Sequence, residues 1–250
     1  MRAKSLTALA LTLLLRAPGL PAQEEPAIEA EAEILLRQMS AYLAAAERFT
    51  FHAELIQDEV LPWGQIVSVE EAVEVAVRRP NGIWVDNRGE GTHRRFIYDG
   101  GTFALVDLEA YTYTSTDAPP DIDAMLDMLI DRFNIIVPLS DFVYSDPYEA
   151  LIEGITGGIY VGSRVIDGTR IHHLAFTQET VDWQVWIEDG PRPVPRRLAI
   201  RYKNLPGSPR FVATLSGWDT NATLADHLFS TEPPAEARRI PLLEAPADGR

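Results

Sequence analysis

The sequence predicts a mainly β protein of the α+β class, in which one curved antiparallel sheet of about eleven strands has helices covering its apolar face. Two observations predict this fold. Most of the chain between residues 49 and 218 alternates apolar and polar side chains with a period of two, in segments bounded by Gly, Asp or Asn. Two other stretches have the apolar spacing of amphipathic helices. Because a sheet with one apolar face needs a covering layer, the two helices are assigned to that face.

The first helix is predicted at about residues 27–47. The segment "EAEILLRQMSAYLAAAERF" (31–49) contains no Gly or Pro, and its apolar residues recur at helical spacing. From residue 49 the period changes to two, which predicts two long strands joined by a Pro-Trp-Gly turn at 62–64. The residues expected on one face are Phe49, Phe51, Ala53 and Leu55 in the first strand, and Val67, Val69, Val73, Val75 and Val77 in the second.

Four shorter strands are predicted next, at about 82–87, 93–98, 102–108 and 111–115. Asp99-Gly100-Gly101 is expected to form a hairpin turn, because glycine permits positive backbone angles, and 108–110 is the next bend. The stretch "YDGGTFALVDLEAYTY" is therefore interpreted as a meander. Phe103 and Leu105 are expected to face the covered side of the sheet, whereas the alternation does not place Val106 and Leu108.

A second helix is predicted in "DIDAMLDMLIDRF" (121–133), which follows two prolines. Its apolar stripe comprises Met125, Leu126, Leu129, Ile130 and Phe133. Asp123, Asp127 and Asp131 share another side, where like charges are typical of a solvated face. Short helical turns are expected over 139–153. Five more strands are then predicted, at about 157–166, 169–178, 181–188, 195–204 and 209–218.

The two ends of the chain differ in composition from the rest. Residues 1–22 are predicted to be a signal peptide, because Arg2 and Lys4 precede an apolar run at 6–15 that is too short to span a bilayer, and Ala22 offers a cleavage site. An uncleaved N-terminal anchor is the alternative. Residues 23–240 are expected to form one domain, and 241–250 a flexible C-terminal tail. The sequence contains no cysteine, which excludes both disulfides and a lipid-modified cysteine.

The net charge of the chain disfavours negatively charged partners. Without residues 1–22 the chain has 19 Lys and Arg against 37 Asp and Glu, a net charge of −18. This balance argues against nucleic acid as a partner and against adhesion to anionic lipid headgroups.

Motifs for catalysis are absent from the sequence. It has no Gly-x-Ser-x-Gly elbow, no phosphate-binding glycine loop and no dinucleotide fingerprint. His172 and His173 are adjacent on a predicted strand and should point to opposite faces, so they are not expected to share a metal ion. The other three histidines are scattered, and the sequence does not support a triad built from them. The protein is predicted to be no enzyme, with no catalytic residues, metal or cofactor.

Three motifs in order carry a resemblance to a known family. They are "YDGGTFALVDLEAYTY" (98–113), "DWQVWIEDGPRPVPRRLAIRY" (182–202) and "LFSTEPPAEARRI" (228–240). Over roughly residues 30–240 the chain resembles the LolA/LolB-like periplasmic lipoprotein-carrier superfamily, and more closely a family of predicted periplasmic proteins of unknown function within it. The resemblance implies an unclosed antiparallel β half-barrel, whose concave face binds acyl chains under a helical lid. The same fold also serves as a sensing domain in envelope-stress regulators. Having no cysteine, this chain departs from the acylated LolB type.

The expected function is that of a soluble, non-membrane-spanning periplasmic protein that binds or carries a lipid, an acyl chain or the acyl group of a lipoprotein. The alternative is a non-catalytic sensor or scaffold that binds another periplasmic or outer-membrane protein, and a lipid-modifying hydrolase is a weaker possibility. The residues expected to line the cavity are Phe49, Phe51, Leu55, Val73, Val75, Phe96, Tyr98, Phe103, Leu105, Trp183 and Val185. The expected lid consists of Met125, Leu126, Leu129, Ile130 and Phe133. The bland interpretation of these aromatic and aliphatic residues is core packing.

Overall fold

The computed structural model describes residues 27–245, so the predicted signal peptide and residues 246–250 lie outside the described part of the chain. The helices are α1 (Ala30–Ala44), α2 (Ile122–Phe133) and α3 (Pro147–Ile152), with single 3-10 turns at Ser140–Phe142 and Asp226–Phe229. The strands are β1 (Arg48–Val60), β2 (Ile66–Arg78), β3 (Gly82–Gly89), β4 (Thr92–Tyr98), β5 (Thr102–Asp107), β6 (Thr112–Asp117), β7 (Ile155–Ile166), β8 (Thr169–Gln178), β9 (Val181–Glu188), β10 (Pro195–Tyr202), β11 (Arg210–Asp219) and β12 (Arg238–Arg239).

All strands form one open sheet in the order β12-β6-β5-β4-β3-β2-β1-β11-β10-β9-β8-β7. Neighbours are antiparallel, except that β12 lies parallel to β6. The chain builds one half as a meander from β1 to β6, inserts α2 and α3, and builds the other half from β7 to β11. The pairing of β1 with β11 joins the two halves. The two edge strands, β12 and β7, do not pair with each other, so the predicted unclosed half-barrel is confirmed.

Eleven of the twelve strands lie where the sequence predicts them, because each has enough residues to show alternation. β12 has only two residues and could not give a periodic signal. The expected turn at Asp99 is present: its side-chain oxygen Oδ1 accepts hydrogen bonds from the N–H groups of Gly101 and Thr102, at 3.0 and 2.8 Å. Gly100 adopts the positive φ of +97° that the turn requires.

The concave face of the sheet is largely filled by helices. Alternate residues of the strands point to this face and join the buried faces of α1 and α2 in one core cluster. α1 contributes Ala32, Leu36, Met39 and Leu43, each fully buried. Its N-terminal end is fixed to the edge of the sheet, where Ile28 forms a parallel bridge to Gly158. A Cβ on Gly158 would lie 2.7 Å from the Phe176 ring and 3.0 Å from the Ile28 side chain, so this close packing requires glycine.

The convex face is covered in part by a C-terminal strap, defined as residues 226–234. Phe229 of the strap is 1% exposed and packs beside Gly82 of β3. The strap lies over Ile97 and Val106, which explains why Val106 is buried although it faces away from the core cluster. The chain then pairs with β6 through β12 and reaches α2, where the Ala245 N–H donates to the Arg132 carbonyl at 2.8 Å. Residues 241–245 of the predicted flexible tail therefore contact α2.

The convex face also carries a buried ion-pair cluster centred on Asp86, whose side chain is 2% exposed. Its carboxylate lies 2.8 Å from the Arg88 Nε and 2.8 Å from an Arg95 guanidinium nitrogen, and 3.0 Å from the His93 Nε2. Burial acts to raise the pKa of Asp86, but hydrogen bonds from Arg95 and His93 outweigh it and hold that pKa below its usual range. The cluster fixes β3 against β4.

Candidate ligand cleft

α2 ends in a way that sends the chain across the concave face. Its N-terminus is capped by Asp121, whose Oδ1 accepts from the Ala124 N–H at 2.9 Å. At its other end Asn134 adopts a left-handed conformation with φ 52°, so the helix stops there and the chain turns away. Residues 135–153, which include the 3-10 turn and α3, then cross toward β7. We refer to residues 135–153 as the crossing segment.

A cleft of about 890 Å³ lies between the crossing segment, α2 and the sheet. Its floor consists of Gln57, Leu198, Ile200, Tyr202 and Phe211 from β1, β10 and β11. Leu198 and Phe211 are buried, whereas Ile200 and Tyr202 are half-buried and Gln57 is exposed. α2 contributes Asp123, Asp127 and Ile130 to one wall. The crossing segment forms the opposite wall, in which Ile136 is 73% exposed. A cleft of this volume is within the range of small-molecule sites.

A smaller cavity of about 190 Å³ adjoins the cleft. The two share Asp141, Ala150, Leu198, Ile200 and Tyr202 as lining residues, and the smaller one extends to Trp183 and Val181 of β9. The apolar surface of the cleft is therefore continuous with the buried concave face.

Most of the predicted cavity residues lie under the helices, away from the cleft. Ten of the eleven are buried to 8% exposure or less, and Leu105 packs against the same cluster: Phe49, Phe51, Leu55, Val73, Val75, Phe96, Tyr98, Phe103, Leu105, Trp183 and Val185. Trp183 alone of this set reaches a cavity continuous with the cleft. All eleven share the concave side, as their alternation predicts, but the core occupies the space in front of them. A ligand role for these residues stays a prediction.

The predicted lid stripe corresponds to α2 with one difference. Met125, Leu126, Leu129 and Phe133 are buried against the sheet, whereas Ile130 is 42% exposed. Ile122, the first residue of the helix, completes the buried face instead. Ile130 lies at the margin of the apolar stripe, and there it lines the cleft rather than the core.

The sequence predicts a solvated acidic side for α2, but two of its aspartates accept hydrogen bonds from the crossing segment. Asp123 accepts hydrogen bonds from the Ser145 backbone N–H, at 2.9 Å, and from the Ser145 hydroxyl. Asp127 accepts from the Tyr144 hydroxyl at 3.0 Å. These contacts exist because the crossing segment folds back along α2, a tertiary arrangement with no periodic signal in the sequence. These hydrogen bonds hold the crossing segment, which forms the other wall of the cleft, against α2.

Burial has the largest effect on the ionisation of groups in the cleft. It raises the pKa of Asp141 to about 6, from an ordinary value of 3.8, with a further contribution from the Glu153 carboxylate. Burial and the hydrogen bond to Asp127 raise the pKa of Tyr144, and burial raises that of Tyr202. A carboxyl group in a partly buried, apolar position is a common feature of binding and catalytic sites.

The ionisable groups that line the cleft are carboxyl and phenol groups. Among its lining residues there is no Cys, His, Lys or Arg. Within residues 27–245 no group of three or more His, Cys, Asp or Glu side chains could hold a metal ion. His172 and His173 lie on opposite faces as predicted, the former contacting Tyr160 and the latter Gln184.

The fold is an open antiparallel half-barrel with helices against its concave face. The chain belongs to the family described as predicted periplasmic protein (DUF2092), whose model matches residues 32–243. The protein is thus periplasmic. No helix among residues 27–245 is long and apolar enough to cross a membrane.

Three solved structures are among those similar to this chain. The Mycobacterium tuberculosis lipoprotein LppX is 14% identical, with a TM-score of 0.48, and the match covers 78% of this chain and 98% of that one. An uncharacterized conserved protein from Thermus thermophilus is 10% identical, with a TM-score of 0.49 and coverage of 84% and 98%. A LolA superfamily protein from Nitrosomonas europaea is 11% identical, with a TM-score of 0.38 and coverage of 80% and 97%. No curated protein is significantly similar to the chain.

Proposed function

We propose that this periplasmic protein binds the acyl chain of a lipid or of an acylated protein in the cleft between α2, the crossing segment and β10–β11. The observation that carries this proposal is the cleft itself, about 890 Å³ in volume, with Leu198, Ile200 and Phe211 on its floor. An apolar floor reached through an open mouth is the usual form of a site for an apolar ligand.

Two apolar side chains on the walls strengthen the proposal. Ile130 and Ile136 are 42% and 73% exposed, and both line the cleft. Apolar side chains grouped around a concavity are typical of binding surfaces, since a ligand that covers them removes their apolar area from water.

The energetics favour a ligand that enters the cleft while α2 stays in place. Detaching α2 would expose five buried side chains, Ile122, Met125, Leu126, Leu129 and Phe133, at a cost of about 10 kcal/mol. Burying a methylene group contributes about 0.8 kcal/mol, so a chain of a dozen methylenes would gain about 10 kcal/mol before its own ordering cost. An acyl chain could only just offset the opening of α2, but it needs no such opening to occupy the cleft.

The test measures displacement of the neutral dye 1-N-phenylnaphthylamine by dodecyl maltoside, together with mass spectrometry of lipids extracted from the natively purified protein. Ile130→Asn should weaken dye binding at least fivefold. Ala150→Trp, which places an indole in the cleft, should do the same without adding polarity. The matched control is Ile56→Asn on the convex side of β1, where Ile56 is 41% exposed and lines no part of the cleft. Equal dye binding by all four proteins would contradict the proposal.

A second candidate function is docking of another envelope protein, and the edge strand β7 favours it. From Val161 onward β7 pairs only with β8 among residues 27–245, and four of its large aliphatic side chains, Ile159, Val161, Val165 and Ile166, are 41–62% exposed. An exposed apolar edge is a template for an added strand. A photocrosslinker at Ile159 should then capture one envelope protein in cells, and Val161→Pro should abolish that capture.

A further inference from the structure

The charges that line the cleft are all of one sign. Its ionisable lining residues, tyrosines aside, are six carboxylates: Asp123, Asp127, Asp141, Asp146, Glu149 and Glu153. Within the described part of the chain none of the six forms an ion pair with Lys, Arg or His. Two cations outside the lining act on members of the set. Arg79, whose guanidinium donates to the Tyr144 carbonyl, acts on Asp123, and Arg37, which is paired with Glu33, acts on Glu149.

This arrangement differs from that of the two buried carboxylates of residues 27–245. Asp58, 6% exposed at its side chain, lies 3.2 Å from the Arg210 Nε. Asp86, 2% exposed, lies 2.8 Å from both the Arg88 Nε and an Arg95 guanidinium nitrogen. Because the fold supplies cations to carboxylates elsewhere, the unpaired set at the cleft leaves a localised negative potential beside an apolar cavity.

Asp141 is the member of the set placed to contact a ligand. It lies where the cleft and the smaller cavity meet, next to Leu198, Ile200 and Tyr202. Its carboxylate accepts a hydrogen bond from its own backbone N–H but from no side chain among residues 27–245, and burial disfavours its charge. Asp123, Asp127 and Asp146 differ, since each accepts hydrogen bonds from other residues. A ligand that brings a donor would further stabilise the partly buried carboxylate of Asp141.

We propose that the ligand of this cleft is a cationic amphiphile, with an ammonium or guanidinium group held by Asp141, Glu149 and Glu153 and an apolar chain on the floor of Leu198, Ile200 and Phe211. The inference rests on the proposed function of the cleft and adds the charge of the head group. A cation beside an acyl chain could belong to an amine-bearing lipid or to a basic residue near the acylated end of a protein. Both present the same chemistry to the cleft.

The experiment compares probes with the same twelve-carbon chain, below their micellar concentrations, by displacement of 1-N-phenylnaphthylamine. One pair is dodecyltrimethylammonium and dodecyl sulfate. The second pair delivers the charge on a peptide, as dodecanoyl-Gly-Lys-amide and dodecanoyl-Gly-Glu-amide. Dodecyl maltoside is the neutral reference. Each cationic probe should bind at least tenfold more tightly than its anionic counterpart, and the preference should shrink at 1 M salt. The tighter of the two cationic probes identifies the lipid or the protein source.

A matched pair of triple variants separates the local potential from the net charge of the protein, which is −15 for the full chain. Asp141→Asn, Glu149→Gln and Glu153→Gln together should reduce the ratio of cationic to anionic probe affinity below threefold. The control is Asp117→Asn, Glu109→Gln and Glu236→Gln, three exposed residues away from the cleft, which changes the net charge equally and should keep the preference.

Two results would overturn the inference without touching the proposed function. One is equal affinity for cationic and anionic probes while dodecyl maltoside still binds. The other is an equal loss of preference in the cleft variant and its control, since bulk charge would then account for it. Failure of every probe to displace the dye would instead contradict the proposed function itself.

Discussion

Replacing Asp141 by asparagine should make the protein more stable at neutral pH, although it removes a charge from the cleft. Burial raises the pKa of Asp141 to about 6 in the folded protein, against 3.8 for an ordinary aspartate. Compared with the unfolded state, the folded state therefore favours the neutral form of this carboxyl. Its stabilising contribution is complete below the ordinary pKa and is lost as the pH rises through about 6. Asparagine has nearly the same shape and never ionises, so it avoids that loss.

The magnitude follows from the two pKa values. A difference of about two pH units corresponds to about 3 kcal/mol at pH 7.5, which is an upper bound because Asp141 is only partly buried. We expect Asp141→Asn to raise the free energy of unfolding by about 1–3 kcal/mol at pH 7.5, and by less than about 0.5 kcal/mol at pH 4. For a protein of this size, the neutral-pH gain corresponds to a rise in Tm of roughly 2–10 °C.

Thermal unfolding followed by circular dichroism at pH 7.5 and pH 4 measures the effect. The control is Asp117→Asn, because Asp117 is exposed at the end of β6 and its side chain forms no hydrogen bond or ion pair within residues 27–245. The reasoning is refuted if Asp141→Asn has no effect at pH 7.5, or if its effect is the same at both pH values. A residue that reduces stability in the free protein and contacts the ligand would be an instance of the trade-off between stability and function.

Two further substitutions test the packing of the sheet. Phe103→Asp should lower the free energy of unfolding by more than about 4 kcal/mol and abolish cooperative unfolding, because Phe103 is 0% exposed and a carboxylate there would be buried without a partner. The control is Tyr111→Asp, at a site 57% exposed, which should shift Tm by less than about 3 °C. Similar Tm values for the two variants would contradict the core assignment. Asp86→Asn should cost about 2–3 kcal/mol at pH 7 because it breaks the charge-assisted hydrogen bonds of the convex face. Since the pKa of Asp86 is lowered, the loss in free energy of unfolding should become smaller as the pH falls through the range in which the aspartate is protonated. Urea titrations at neutral and acidic pH measure this loss. The control Asp226→Asn, at a side chain 99% exposed, should change the free energy of unfolding little at either pH.

The strands and helices of this protein are determined largely by local sequence. The alternation of Phe49, Phe51, Ala53 and Leu55 has period two, which only an extended strand places on one face, and all four are buried. The Asp99-Gly100-Gly101 turn has both the side-chain acceptor and the glycine that its backbone needs. The face of each strand is also local information, so the predicted cavity residues do share the concave side.

Which part of that face remains open was decided by the tertiary structure. Phe103 and Ile200 have the same apolar, alternating context in the sequence, yet Phe103 is fully buried in the core and Ile200 lines the cleft. The helices are short and cover only part of a sheet of twelve strands. Ile130 lies at the margin of the apolar stripe of α2. At that position a small rotation of the helix about its axis decides whether the side chain is buried in the core or lines the cleft. The strap over Val106 and the pairing of β12 depend on contacts between residues more than a hundred positions apart, and such contacts have no period.

The carboxylates also show the difference between what the sequence determines and what the tertiary structure determines. The sequence gives their number and therefore the sign of the net charge, but spacing along α2 predicts only a solvated face for Asp123 and Asp127. Asp141, Glu149 and Glu153 belong to a segment without regular periodicity, and only the crossing of that segment over β10 brings them to one cavity. Composition determined that the protein is acidic. Tertiary packing decided where its acidic groups meet its apolar surface, because that depends on contacts between segments that are distant in the sequence.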